Sequence, residues 1–341
     1  MTSKLTLPIA VAFTSIVVAL HLPPTPAAQS FKDFPLSFLT FGVCFYWINN
    51  ILNFLFFSKK TITPIDPTAL KSQGKPPFAL VTGGSSGIGF EISKRLLKKE
   101  YNLILVSKSQ DELEKAFKEL TSMAPKGAII LYFFQDLSLQ NSAREVHHKV
   151  TALMKEHKGT VEILVNNAGF GHAATFIDSG FGIFRDMINV NILSLTELSH
   201  LFGAEMVKRK RGRILHVASI TGYSPGPMAA VYSASKSFVR SFSEALAYEF
   251  KDSGVGVFTI CPGATKTKFA QESSSTKSLI FTIPGLQSKS QDVAELAVGQ
   301  LLDCSPEIAI PDIVNQLLVY VSSFVPTSIT LFITQFLWNP N

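Results

Sequence analysis

Residues 78 to 99 have the pattern of a strand, a glycine-rich turn and a helix. The apolar run 78–81 leads into the sequence TGGSSGIG at 82–89, and a helical pattern follows over 90–99. Glycine permits a tight turn and lets a backbone approach a pyrophosphate, whose charge then lies at the helix N-terminus. The pattern therefore predicts the first unit of a parallel α/β sheet with a phosphate-binding turn at its carboxyl edge.

Strands and helices alternate along the rest of the chain. Strands are predicted over 102–107, 128–135, 162–166, 213–218, 255–261 and 307–310, and helices over 110–121, 142–157, 181–207, 230–253 and 292–302. This alternation predicts an α/β fold of the Rossmann type, a doubly wound parallel sheet in a single domain. Sites in such folds open at the carboxyl ends of the strands.

Tyr232 and Lys236 are the clearest candidates for proton chemistry. Residues four apart lie on the same face of a helix, so the phenol and the ammonium point into one cleft. A fixed cation favours the phenolate, so Lys236 is expected to lower the pKa of Tyr232 toward the range in which it exchanges a proton with an alcohol or ketone oxygen.

The glycine turn and the Y-x-x-x-K pair together resemble the short-chain dehydrogenase/reductase superfamily. Four further marks of that family lie in the expected order: N-N-A-G at 166–169, Asn191, Pro262-Gly263 with Thr267, and Asp136. The resemblance extends over residues 76–312.

The resemblance implies a set of site residues. The catalytic group is Asn191, Ser219, Tyr232 and Lys236, in which Tyr232 donates the proton, Ser219 orients the carbonyl oxygen, Lys236 holds the nicotinamide ribose and Asn191 supports a water chain. The implied cofactor-binding residues are Gly83, Ser85, Ser86, Gly87, Ile88, Gly89, Ser107, Lys108, Asp136, Asn167, Ala168, Gly169, Tyr232, Lys236, Pro262, Gly263 and Thr267. In this family a small residue followed by a base, as in Ser107-Lys108, accommodates the extra phosphate of NADP(H). No metal site is expected.

The N-terminal region is predicted to attach the protein to a membrane. The mean hydropathy is +0.26 with 16% charged residues, which is more apolar than an ordinary soluble enzyme. Two uncharged apolar stretches, 5–22 and 35–57, account for much of this excess. The second can cross a bilayer, whereas the first is either another span or a cleaved signal peptide. Residues 1–58 are therefore interpreted as the anchor, 59–77 as a linker, 78–312 as the catalytic domain and 313–341 as an apolar tail.

The lysines that follow the second stretch place the catalytic domain in the cytosol by the positive-inside rule, and the endoplasmic reticulum is the expected membrane. The run 208–211, KRKR, precedes a strand and is expected to be a solvated turn at the sheet end opposite the site. The net charge of +6 is attributed to membrane-surface attraction, since no nucleic-acid motif accompanies it.

The tail carries no charged residue after Asp312, and Pro326 divides it into two pieces that are each too short to span. Packing on the core, a dimer contact and a membrane hairpin beside the substrate entrance are the alternatives.

The sequence predicts an NADPH-dependent reductase of a lipid ketone. Among the substrates of membrane-anchored members of the superfamily, 3-ketodihydrosphingosine ranks first, a very-long-chain 3-ketoacyl-CoA second and a steroid or retinoid third. A non-catalytic NADPH-binding membrane scaffold is the alternative of another class. The resemblance also implies a possible homodimer through the helices at 181–207 and 230–253.

Overall fold

The computed structural model describes residues 62–339, apart from 274, 277 and 283–286. The strands are β1 (Pro77–Thr82), β2 (Asn102–Ser107), β3 (Ile130–Phe134), β4 (Thr160–Asn166), β5 (Gly212–Val217), β6 (Val255–Ile260), β7 (Thr265–Lys266), β8 (Ser288–Lys289) and β9 (Ile308–Ala309). Seven of them form one parallel sheet in the order β3-β2-β1-β4-β5-β6-β9, and β7 pairs with β8 in a small parallel ribbon. The predicted parallel α/β sheet is confirmed.

The described helices are α1 (Pro67–Ser72), α2 (Gly87–Lys98), α3 (Gln110–Ser122), α4 (Ser142–Glu156), α5 (Phe181–Ile188), α6 (Leu195–Lys208), α7 (Ala230–Glu249), α8 (Phe269–Glu272), α9 (Leu279–Thr282), α10 (Ser290–Asp303), α11 (Ile313–Ser322) and α12 (Thr327–Trp338). Short 3₁₀ turns lie at Phe176–Asp178 and Ile220–Tyr223.

Strand β1 shows why these segments form the centre of a sheet. All six residues of β1 are buried, because helices cover both faces of a parallel sheet. Ala79 and Val81 belong to the core packed with α2, α3 and α10, whereas Phe78 and Leu80 belong to the core packed with α4, α6 and α7. Each large apolar side chain that becomes fully buried contributes roughly 1.5–3 kcal/mol, so both layers stabilise the same strand.

One helix predicted as continuous is interrupted. The residues predicted as a helix over 181–207 form α5, a π-helical turn at Asn189–Ser194, and α6. The wider turn changes the direction of the side chains within it, and Asn191 lies in that turn. Such π segments are frequent at functional sites.

The described part of the predicted linker packs on the domain. Ile62 forms a β-bridge with Gly254, and the Thr63 hydroxyl donates to the Lys210 carbonyl at 2.8 Å. Helix α1, capped by the Asp66 carboxylate, buries Leu70. These contacts show that residues 62–76 do not form an extended spacer.

The basic run 208–211 also differs from the solvated turn that its composition predicts. Arg211 donates Nε and Nη2 to the two carboxylate oxygens of Glu162, each at 2.9 Å, and Arg209 Nε lies 3.8 Å from Glu162 Oε1. Glu162 is 0% exposed. Although burial raises the pKa of Glu162, the bonds from Arg211 and Thr160 and the charge of Arg209 outweigh it, so the net shift is downward.

The predicted membrane spans at 5–22 and 35–57 lie outside the described residues. Within the described part of the chain, no helix combines the length and the apolar character that a membrane crossing requires. The C-terminal tail folds into α11 and α12, which Pro326 separates as predicted. Most of its large apolar side chains are exposed, whereas its buried residues are Asn315, Thr330 and Trp338.

We predict that Glu162→Gln lowers the free energy of unfolding by about 3 kcal/mol at pH 7, because Arg209 and Arg211 lose a buried charged partner. Urea unfolding at pH 7 measures this loss. Since the folded pKa of Glu162 is lowered, its contribution is present above the unfolded pKa and disappears as the pH falls, so wild type and variant should converge in acid.

The control is Glu197→Gln, which removes a more exposed ion pair with Arg144. This variant should lose less than about 1 kcal/mol. An equal loss in the two variants would contradict the assignment of a structural role to the buried pair.

Candidate active site

A cavity of about 580 Å³ lies at the carboxyl edge of the sheet. All of the predicted site residues except Gly89 and Asn191 line it. Strand β1 pairs with β2 on one side and with β4 on the other, so the cavity lies where the order of the strands reverses. Ligands of open α/β sheets bind at such a reversal.

The glycine turn is fastened to the end of β4. Asn167 Nδ2 lies 3.0 Å from the carbonyl oxygens of both Thr82 and Gly83, and the Thr82 hydroxyl accepts from the Asn167 and Ala168 amides at 3.1 Å. A Cβ at Gly89 would lie 2.3 Å from the Gly83 oxygen and 2.4 Å from Asn167 Nδ2. Gly89 therefore does not line the cavity. Its missing side chain allows the first turn of α2 to pack against the glycine turn and Asn167.

Helix α2 begins at Gly87, whose φ of +55° is a conformation that glycine adopts without steric cost. The first amides of α2 can bind an anion, because a helix N-terminus carries unsatisfied N–H groups and a positive dipole end. A Cβ at Gly87 would be 3.1 Å from the Thr267 methyl group, so this glycine keeps the groove open between the turn and the Pro262-Gly263 segment. The cradle fits a dinucleotide pyrophosphate.

Ser107 and Lys108 line the side of the cavity next to β2. The Ser85 hydroxyl lies 2.9 Å from the Ser107 hydroxyl and 3.3 Å from the Glu112 carboxylate, which forms an ion pair with Lys268 across the groove. Lys108 Nζ lies 5.5 Å from the centre of the Phe170 ring. These groups can receive a ribose phosphate, with Lys108 supplying the positive charge.

Asp136 follows β3 and also lines the cavity. Its carboxylate accepts from the Ser138 amide at 2.9 Å and from the Ser138 hydroxyl at 2.8 Å. These bonds hold the loop that follows β3 at the rim of the cavity.

Ser219, Tyr232 and Lys236 converge at the opposite end of the cavity. Ser219 follows β5, while Tyr232 and Lys236 lie one turn apart on α7, and all three side chains are buried. The Ser219 hydroxyl lies 3.3 Å from the Pro262 carbonyl oxygen, and Lys236 Nζ donates to the Val217 carbonyl at 2.8 Å. The ammonium is thus held by the end of β5.

Burial dominates the titration of this group. Desolvation raises the pKa of Tyr232 to about 12, with the neighbouring Ser219 and Thr221 hydroxyls acting in the opposite direction. Burial also lowers the pKa of Lys236 to about 8. The pKa of Tyr232 is therefore raised and not lowered in this structure, because desolvation of the phenolate outweighs the hydrogen bonds from Ser219 and Thr221 that favour it.

Asn191 does not line the cavity. Its Oδ1 accepts from the Phe170 amide at 3.1 Å, and its Nδ2 donates to the Phe170 carbonyl and to the Ser235 hydroxyl, each at 3.0 Å. A Cβ at Gly169 would lie 3.0 Å from Asn191 Oδ1 and 3.4 Å from Lys236 Nζ. Asn191 therefore joins the loop after β4 to α7 just behind Lys236.

The sequence analysis missed several residues of the cavity wall. Beyond the predicted set, the cavity is lined by Glu112, Ser138, Phe170, Thr221, Phe269, Ile280, Phe281 and Trp338, among others. Phe269 could have been found by its place directly after Thr267-Lys268. Trp338 had no such signal, since it lies far along the chain from every motif.

Residues 77–278, more than half of the chain, match the short chain dehydrogenase family. The chain belongs to this family, and the predicted class, an oxidoreductase, is confirmed.

Curated relatives have named activities. The chain is 35% identical over 185 residues to a very-long-chain 3-oxoacyl-CoA reductase of Coccidioides immitis, a match that spans 54% of this chain and 52% of the relative. It is 32% identical over 231 residues to the enzyme of the same name from Macaca fascicularis, which covers 63% of this chain and 71% of the relative. The first match thus spans only about half of that relative's length. Both relatives are named for the second-ranked substrate of the sequence analysis and not for 3-ketodihydrosphingosine.

Solved structures share the fold. A short-chain dehydrogenase from Sphingobium yanoikuyae in complex with NADPH superposes with a TM-score of 0.62 at 23% identity, covering 74% of this chain and 97% of that one.

We predict that Gly89→Ala abolishes measurable dinucleotide binding, because the added Cβ would meet the Gly83 carbonyl and the Asn167 side chain. Calorimetric titration with NADPH measures the binding. Gly299→Ala is the matched control: Gly299 lies in α10 with open space around its Cβ position, so binding should be retained and the helix stabilised by about 1 kcal/mol. Unchanged affinity in Gly89→Ala would contradict the role of this turn.

Proposed function

We propose that the protein reduces the 3-keto group of a long-chain 3-oxoacyl-CoA to the alcohol with NADPH. The observation that carries the proposal is the buried Ser219, Tyr232 and Lys236 group, which lies in the same cavity as the phosphate-binding turn. The names of the curated relatives support the choice of substrate.

NADP(H) is the proposed cofactor. Support comes from the small residue Ser107 followed by the base Lys108 in the cavity wall, and from solved structures of the same fold that hold NADPH or NADP. The glycine turn and the start of α2 would hold the pyrophosphate, and Thr267 with Pro262-Gly263 the nicotinamide end. When bound, the cofactor supplies the hydride for the ketone carbon.

Tyr232 donates the proton to the ketone oxygen. Because burial raises its pKa to about 12, the phenol stays protonated at neutral pH, which suits an acid that works in the direction of reduction. Ser219 hydrogen-bonds the same oxygen and orients the carbonyl. Lys236, whose pKa is lowered to about 8, holds the nicotinamide ribose and lies close enough to stabilise the phenolate that remains after proton transfer. Asn191 supports the water chain that returns the proton.

An acyl chain fits the apolar end of the cavity. Phe269, Ile280, Phe281 and Trp338 line the cavity on the Tyr232 side. Chain burial there can position the carbonyl, since each buried methylene contributes about 0.8 kcal/mol. A steroid ketone is the second candidate, because a hydroxysteroid dehydrogenase-like protein 1 from Gallus gallus is 30% identical over 214 residues.

The protein is proposed to work at a membrane, anchored by residues 1–58 with the catalytic domain in the cytosol; the endoplasmic reticulum stays the predicted organelle. The two uncharged apolar stretches support this proposal. The exposed apolar side chains of α11 and α12 support a second contact with lipid, since the chain carries no charged residue after Asp312. A homodimer through α5, α6 and α7 stays a prediction.

The substrate proposal predicts a strong dependence on chain length. Detergent-solubilised protein is assayed with NADPH and with NADH against 3-oxoacyl-CoA esters of increasing length, 3-ketodihydrosphingosine, steroid ketones and retinal. Each two added carbons should raise kcat/KM by roughly tenfold until the cavity is filled, and NADPH should be preferred. Equal efficiency for short and long esters would overturn the lipid proposal.

Tyr232→Phe is the catalytic control for this panel, because the ring keeps its packing while the proton donor is lost. Turnover should fall by at least about a hundredfold with NADPH binding nearly unchanged. Near-normal turnover in this variant would remove Tyr232 from the mechanism.

The membrane proposal predicts that the full-length protein stays in the membrane pellet after alkaline carbonate extraction. A truncated protein that begins at Thr61 should still bind vesicles through α12, and replacing the outward residues Phe332 and Phe336 with Asp should abolish this binding. Complete loss of vesicle binding in the truncated protein with Phe332 and Phe336 intact would assign the outer face of the tail to another contact.

A further inference from the structure

The last described helix, α12, forms part of the wall beside Tyr232. The Trp338 ring meets the Tyr232 ring edge-on at 6.1 Å between centroids and the Phe281 ring edge-on at 6.2 Å. The centroid of the Phe269 ring lies 5.4 Å from that of Tyr232 and 6.2 Å from that of Phe281. Four aromatic rings from α7, α8, α9 and α12 therefore form a packed aromatic wall of the cavity, defined by Tyr232, Phe269, Phe281 and Trp338, which includes the proposed proton donor.

Trp338 is held in this position from two sides. The Ser278 hydroxyl donates to the Trp338 carbonyl at 2.8 Å, and the Thr334 hydroxyl, one turn earlier in α12, lies 3.0 Å from the Pro225 carbonyl. The first bond joins α12 to the segment before α9, and the second joins it to the loop after β5. Trp338 is 4% exposed and Tyr232 is 7% exposed. Because the Trp338 ring is held in place, it limits the size of a group that can lie next to Tyr232. A closely packed interior does not move easily to accommodate a larger group.

We propose that Trp338 is a specificity-determining residue that limits the bulk of the substituent next to the reacting carbonyl. The inference rests on the proposed ketone reduction at Tyr232 but not on the identity of the acyl substrate. The rings of the aromatic wall contact one another, and the wall borders the cavity. An unbranched chain can lie along this wall, whereas a fused ring system would collide with the indole, so the inference disfavours the steroid candidate. The exclusion is steric, so removing the ring improves the poor substrate more than it harms the good one.

A purely structural role for Trp338 predicts the same relative loss of activity on every ketone. Loss of a buried indole from a helix end would lower stability and scale the kcat/KM of all ketones by the same factor. The ratio between substrates of different shape separates the two roles.

The test compares Trp338→Ala and Trp338→Phe with wild type on three ketones: a linear 3-oxoacyl-CoA, a small linear ketone without CoA and a steroid ketone. We expect the ratio of kcat/KM for the steroid over that for the small linear ketone to rise roughly tenfold or more in Trp338→Ala. Trp338→Phe, which keeps an aromatic ring and preserves the fold, should give a smaller rise. Phe336→Ala is the matched control, because it removes an aromatic ring that is 64% exposed on the same helix; its ratio should stay within about twofold of wild type. An unchanged ratio in both Trp338 variants overturns the proposal.

Failure of the proposed function gives a different result. If wild type does not reduce the linear 3-oxoacyl-CoA but reduces other ketones, the substrate proposal fails. The ratio of kcat/KM for the steroid over that for the small linear ketone still tests the role of Trp338.

Fluorescence gives a readout that needs no turnover. Trp47 and Trp338 are the two tryptophans of the chain, so Trp47→Phe leaves Trp338 as the sole reporter. Bound NADPH, detected by direct excitation of its nicotinamide, should quench Trp338 by energy transfer, and the transfer should disappear when Trp338 is also replaced by Phe. Bound NADPH without quenching would place Trp338 away from the site and overturn the inference.

Discussion

The hydrogen bonds between the ends of β1 and β4 are the contact on which the site depends. Asn167 binds the carbonyl oxygens of Thr82 and Gly83, and the Thr82 hydroxyl accepts from the two amides that follow β4. Because these bonds lie at the reversal of strand order, they join the phosphate-binding turn to the loop that leads to the catalytic group. Buried backbone N–H and C=O groups without hydrogen-bond partners would lower the stability of the fold at this turn. The same bonds therefore stabilise the fold and shape the phosphate-binding turn.

A second feature is the burial of polar groups at the opposite end of the cavity. Lys236 is fastened to the end of β5, and Asn191 is fastened to the loop after β4 and to α7. Fixed dipoles and charges that need no rearrangement during the reaction are the main source of catalytic stabilisation in such sites. Burial also raises the pKa of Tyr232, which is consistent with the proposed role of the phenol as a proton donor in reduction.

The C-terminal helices α11 and α12 link the site to the outer surface. Asn315, Thr330 and Trp338 are buried in them, whereas most of their large apolar residues are exposed, the reverse of an ordinary amphipathic surface helix. Trp338 contacts Tyr232, the proposed proton donor, while the outer face of the helices is the uncharged apolar surface proposed to contact lipid. A substrate that partitions into a bilayer would thus meet its enzyme at the same element that shapes the pocket.

The sequence by itself determined the parallel sheet, the glycine turn and part of the set of residues around the cavity. These features are local: continuous apolar runs mark buried parallel strands, and the turn and the Tyr232–Lys236 pair depend on spacings of a few residues. Only the tertiary structure decided the raised pKa of Tyr232, the π-helical turn that holds Asn191, the ion pairs of Glu162 and the presence of Trp338 in the site. A pKa depends on how much water the folded chain excludes, and a contact between residues about a hundred positions apart depends on how whole layers pack. Neither the pKa nor the contact can be predicted from the spacing of neighbouring residues.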